Sequence, residues 1–143
     1  MHWGNAAAVS GSNGKAVFDE TNGYASVWHL GADLVDEVGT LESENVGTTE
    51  VPGMVGLARH FAGNQGVFCG DKIANYPAGG SSHTTEVWFR AEQAGSTIIG
   101  WGNEGGGRGT KVRMQLRSPP HVHVDSGFSD IDAPGILPLN EWI

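Results

Sequence analysis

The chain has a single cysteine, Cys69, so it can form no disulfide within itself and no cysteine-built zinc cluster. This leaves the redox compartment open, because secreted domains also exist without disulfides. No run approaches the roughly 18 apolar residues that a membrane-spanning helix needs, so no insertion by this segment is expected. The opening residues Met1-His2-Trp3-Gly4-Asn5 have neither the basic stretch nor the apolar core of a signal peptide. Any export signal of a parent protein is therefore expected outside this segment. Cations are scarce: 8 Lys and Arg stand against 16 Asp and Glu, a net charge of −8. Such a surface repels phosphate backbones, which argues against a nucleic-acid partner and leaves solubility as the plain role of the charge.

Glycine is abundant, with 23 in 143 residues. Helices tolerate glycine poorly, whereas short strands joined by tight turns use its positive φ. The apolar pattern agrees. Lys111-Val112-Arg113-Met114-Gln115-Leu116-Arg117 alternates at every step, the two-residue period of a strand with one buried face. Val112, Met114 and Leu116 are predicted to point inward, with Lys111, Arg113, Gln115 and Arg117 outward. After the turn Ser118-Pro119-Pro120 the alternation resumes in His121-Val122-His123-Val124-Asp125. Further strand-length runs are 25–30, 84–90 and 96–101. The runs 57–61 and 67–69, flanked by glycines, read as a hairpin, and 31–50 reads as an acidic loop. The predicted fold is all-β.

Four stretches occur in the order found in one family. Gly53-Met54-Val55-Gly56-Leu57-Ala58-Arg59-His60-Phe61-Ala62-Gly63 resembles a recurrent segment of bacterial laminin-G-like modules. Val27-Trp28-His29-Leu30 resembles their opening strand, Thr85-Glu86-Val87-Trp88-Phe89-Arg90 their tryptophan-bearing central strand, and Leu137-Pro138-Leu139-Asn140-Glu141-Trp142 the run leading into their next core strand. The resemblance implies an antiparallel β-sandwich, a concanavalin A-like jelly roll, over residues 23–143. It also implies further strands after Ile143, so that this chain would be incomplete at its C-terminus. Residues 1–22 resemble the tail of a β-rich domain that often precedes such modules in large bacterial surface and envelope proteins, followed by a connector. An extracellular or envelope location, other domains of the same polypeptide as neighbours, and a polysaccharide or glycoprotein ligand are what the resemblance implies.

Catalysis is not expected. Hydrolases of this fold carry Glu-x-Asp-x-x-Glu, and Asp33, Asp36, Glu37, Glu42 and Glu44 do not supply it. No Gly-x-Ser-x-Gly elbow is present, and Cys69 beside Phe68 reads as a buried hydrophobe. His121-x-His123-x-Asp125 puts three metal-capable side chains on one strand face, yet two histidines on the solvated face of a hairpin need no metal, and none is expected. Calcium in the Asp33/Asp36/Glu37 loop is the weaker alternative, since the spacing matches no calcium-loop motif. The glycine-rich run 105–109 lacks the lysine and helix of a phosphate loop and reads as a hairpin tip. What remains is a polar face, which reads as a basic patch on an otherwise acidic chain, with Lys111, Arg113, Gln115 and Arg117 on one strand and His121 and His123 on the next. Arg113, Gln115, Arg117, His121 and His123 are the candidate ligand-binding residues, with Trp88 and Trp101 as stacking platforms. The reading from a different class is an architectural spacer with no ligand of its own.

Overall fold

The computed structural model describes residues 7, 9, 11–39, 41–70, 76–78, 81–103, 111–126 and 130–143. The segments Trp3–Asn5 and 105–109 singled out above lie outside the described residues. Among those described, the regular structure is strand and short 3-10 turn, and every strand pairing is antiparallel. The chain is all-β, as its glycine content and alternation predict. It divides into two compact units, Met1–Asn75 and Tyr76–Ile143.

The first unit is built on one interrupted ribbon. Its strands are β1 (Glu44–Val46), β2 (Thr49–Pro52), β3 (Leu57–His60) and β4 (Gly66–Phe68), with β2 paired to β3 and β1 to β4. The hairpin expected between 57–61 and 67–69 does not form. Both runs are strands, but each pairs with part of the stretch read as an acidic loop. Gly53 and Gly56 make the sharp return between β2 and β3, the Gly53 amide donating to the Gly56 carbonyl at 2.9 Å, with Gly56 at φ 67°. A turn that tight joins β2 to β3 and so claims β3 before β4 can reach it.

Asn45 closes the break between β1 and β2. Its Oδ1 accepts from the Thr48 amide at 2.9 Å and the Thr48 hydroxyl at 2.7 Å, and its Nδ2 donates to the Thr48 carbonyl at 3.0 Å. Thr48 is buried as a result. Arg59 ties β3 to the preceding loop, donating to the carbonyls of Gly31 and Ala32 at 2.7 to 3.0 Å. The run 25–30 forms no strand; it contributes one bridge, Trp28 to Asp36.

The second unit carries a four-stranded sheet in the order β5 (Ser96–Trp101), β6 (Val112–Arg117), β7 (His121–Asp125), β8 (Asp130–Asp132). Pairing sets its two faces. Leu116 lies opposite Val122, Met114 opposite Val124, and Val124 opposite Ile131, so one face is apolar. Val112 at 3% and Leu116 at 1% exposure are its buried centre. Burying side chains of this size contributes about 1.5–3 kcal/mol each. Residues 84–90 alternate between exposed and half-buried as a strand would. Their pairing is confined to the end, where Phe89 and Ile143 exchange both backbone hydrogen bonds at 2.9 and 3.0 Å and Arg90 bridges Trp142.

Candidate functional site

The polar side of this sheet collects five of the seven predicted ligand-binding residues. Arg117 lies opposite His121, Gln115 opposite His123, and Arg113 opposite Asp125. Since side chains directly across an antiparallel pair share a face, Arg113, Gln115, Arg117, His121 and His123 stand together. The two-residue period of each strand puts them there, and the turn at Ser118-Pro119-Pro120 sets the register.

The face is not basic. Three carboxylates that the charge pattern of β6 does not reveal are built into it. Asp125 Oδ2 lies 2.8 Å from Lys111 Nζ and accepts from Arg113 Nη2 at 2.9 Å. Asp132 lies opposite His123 and Asp130 opposite Asp125. Asp132 Oδ1 lies 2.7 Å from His123 Nδ1 and 3.0 Å from His121 Nε2. Hydrogen bonds first from His123 and then from His121 hold the Asp132 carboxyl below the usual carboxylate range. A group held charged in this way is a poor general acid.

Asp130 and Asp132 were within reach of sequence reasoning. Asp130-Ile131-Asp132 has the two-residue alternation of a strand, but three residues are too few for the period to stand out.

Burial on this face is uneven. His123 is 1% exposed and Asp125 7%, while Arg117 is open to solvent. Gln115 Oε1 and His123 Nε2, on residues paired across the two strands, are buried and have no hydrogen-bond partner among the described residues. His123 Nε2 stands 3.7 Å from Asp130 Oδ2, beyond hydrogen-bond reach.

The two tryptophans are placed elsewhere. Trp101 pairs with Val112 and so belongs to the apolar side of the sheet. Its indole N–H donates to the Pro77 carbonyl at 2.7 Å, and its ring meets Tyr76 and His83 edge to face at 5.6 and 5.4 Å. Beside it, an open depression of about 210 Å³ is lined by Gly100, Trp101, Gly102, Lys111, Val112 and Arg113. That is below the roughly 300–1,000 Å³ of pockets that enclose small molecules, so the depression suits an edge contact. Trp88 is 69% exposed, on the outward side of the extended run 84–90.

The Asp33/Asp36/Glu37 loop, where the sequence leaves calcium as the weaker alternative, is used structurally. Asp36 is buried, and its Oδ1 accepts the Val27 and Val38 amides at 3.0 and 3.1 Å. Glu37 faces His29 at 3.9 Å, and Asp33 is exposed. Among the described residues, no group of three or more His, Cys, Asp or Glu side chains is arranged to hold a metal ion. No described helix is long and apolar enough to cross a membrane.

No family model, curated protein or solved structure matches this chain.

Proposed function

We propose that the chain is a non-catalytic recognition module that binds carbohydrate through the polar face of β6, β7 and β8, as part of a larger exported multidomain protein with a laminin-G-like sandwich. The observation that carries this reading is the composition of that face. Planar donors from β6 and β7 stand beside carboxylates from β7 and β8: Arg113, Gln115, Arg117, His121 and His123 share the face with Asp125, Asp130 and Asp132. A face of mixed sign has little long-range pull on a polyanion, but it offers many directional donors and acceptors to hydroxyl groups. The ligand class it fits is therefore a neutral glycan. Trp88, largely exposed, supplies an aromatic surface of the kind on which sugar rings stack.

The test is a glycan array and affinity electrophoresis through neutral polysaccharide gels, run with the wild-type chain, Arg117→Ala and Trp88→Ala. Retardation in at least one neutral gel, weakened by Arg117→Ala, is the expected result. Binding that prefers sulfated or uronic polymers would refute the neutral class.

The architectural reading also has an observation in its favour. Arg113 is engaged by Asp125, and His121 and His123 are engaged by Asp132. A face satisfied this far by its own residues holds without a ligand. Silence across the array and all gels, with the protein folded, would establish the spacer role instead.

A further inference from the structure

The first unit carries the same dipeptide twice, as Asn13-Gly14 and Asn22-Gly23. An asparagine followed by glycine has a chemistry of its own. The next amide nitrogen can attack the side-chain carbonyl carbon, and glycine leaves that approach open because it has no Cβ. The new C–N bond closes a cyclic imide, and the side-chain amide leaves as ammonia. Water then opens the ring. Opening at the side-chain carbonyl gives aspartate; opening at the main-chain carbonyl gives isoaspartate, with the chain rerouted through the side chain.

The reaction needs an attacking nitrogen that is free and a side chain that can turn toward it. Both asparagines are exposed, so solvent access does not separate them. Hydrogen bonding does. The Gly23 amide donates to the Glu20 carbonyl at 3.1 Å, which ties down the attacking nitrogen, and Asn22 Nδ2 donates to the Val17 carbonyl at 3.3 Å. Past the glycine the turn is closed again, by the Tyr24 amide on the Asp19 carbonyl at 3.2 Å and by Phe18 edge to face on Tyr24 at 5.1 Å. At Asn13 the restraint is a single N–H. The Ala16 amide is shared between Asn13 Oδ1 and the Asn13 carbonyl, each at 3.2 Å, while the Gly14 amide has no acceptor among the described residues.

We propose that Asn13 is a site of spontaneous modification, converting through the imide to aspartate and isoaspartate in the folded chain, while the identical pair at Asn22 is protected by its turn. The inference does not depend on the glycan reading. The two products differ in effect. Aspartate at 13 keeps an oxygen for the Ala16 amide, so the turn Gly14–Ala16 survives with one more negative charge. Isoaspartate inserts a methylene into the main chain just before Gly14. That position has no slack, because the Glu37 carboxylate fills the space that a side chain at Gly14 would need. The isoaspartyl form therefore displaces Gly14 from Glu37, and with it Val17 and Phe18, whose amides donate to the Gly14 carbonyl at 2.9 and 2.8 Å.

Peptide mapping of the whole chain, aged at pH 8 and 37 °C, tests this. Trypsin cleaves after Lys15 and Arg59, so the two pairs fall in separate peptides, 1–15 and 16–59. Each conversion is read as a gain of one mass unit, and fragmentation places it. Releasing one hydrogen bond lowers the reactive population roughly fivefold. Asn22 must break two where Asn13 breaks one, so Asn13 is expected to convert at least about fivefold faster in the folded chain. In guanidinium chloride the two pairs should convert at about equal rates. Asn13→Ser, which retains a capping oxygen, should leave peptide 1–15 unmodified. Equal rates at the two pairs in the folded chain, or a faster Asn22, would overturn the proposal. So would a folded chain whose Asn13 stays intact while the denatured chain converts, or a mass gain that persists in peptide 1–15 of Asn13→Ser.

Discussion

Asp125 sits across the β6–β7 pair from Arg113 and gathers two cations on one oxygen, with Arg113 Nη2 at 2.9 Å and Lys111 Nζ at 2.8 Å. Its side chain is 10% exposed, against 17% for Lys111 and 33% for Arg113. The carboxylate is therefore the most buried charge of the three, and its one negative charge is shared between the two cations beside it. Removing one partner of such a group leaves the others uncompensated, which costs more than the pair contributes as a whole.

Asp125→Ala should consequently destabilise the chain by about 2–4 kcal/mol, with part of the effect moderated by the solvent reaching Arg113. Urea denaturation of the variant and of Arg113→Ala measures it. The arginine variant is expected to cost less, because Lys111 remains on Asp125. Equal losses would show that packing of the arginine stem outweighs the charge.

The apolar face supplies a contrast between two residues of one sheet. Leu116 is 1% exposed and Ile131 is 64% exposed. Leu116→Ala should cost about 2–5 kcal/mol, the lost transfer energy plus the cavity left behind. Ile131→Ala should stay within about 0.5 kcal/mol. A comparable loss at Ile131, seen by thermal melting, would mean that this side chain is covered in solution.

Asp36 is a buried carboxylate whose two oxygens have different surroundings. Oδ1 takes the Val27 and Val38 amides, whereas Oδ2 is buried with no hydrogen-bond partner among the described residues. Asp36→Asn keeps an oxygen where two amides need one and removes a buried charge. Asp36→Ala removes the acceptor and strands both amides, a loss of about 1–3 kcal/mol per buried group left unsatisfied. The expected order of denaturation midpoints is wild type near Asn, with Ala clearly lowest. An alanine variant as stable as wild type would show that water replaces the carboxylate.

Cys69 should be slow toward thiol reagents at neutral pH. Burial pushes its thiol up from the ordinary value. The contact with Ser43 Oγ at 3.7 Å acts in the opposite direction, and the nearby Asp36 charge adds to the rise. The thiolate is the reacting form, so alkylation by iodoacetamide at pH 7.5 should run at least several-fold slower than that of glutathione. A rate equal to the free thiol would show that the site opens readily.

What the sequence determined by itself is the local geometry of the second unit. Alternation in 111–117 and 121–125 marked β6 and β7 and assigned every side chain of β6 to its face, and the run 96–101 coincides with β5. This was legible because the two-residue period is a property of the extended chain, present before any pairing. The glycine content pointed to the all-β class for the same reason, since positive φ is a local demand. Only the tertiary structure decided partners. It paired β3 with β2 and left β4 to β1, because the turn at Gly53–Gly56 returns the chain at once. It left 84–90 extended but paired only at its end. It also set Asp125 and Asp132 against the cations and histidines of the polar face, where side-chain spacing along β6 alone reads as a basic patch. Pairing and charge compensation bring together residues far apart in the chain, and no local period encodes which of them will meet.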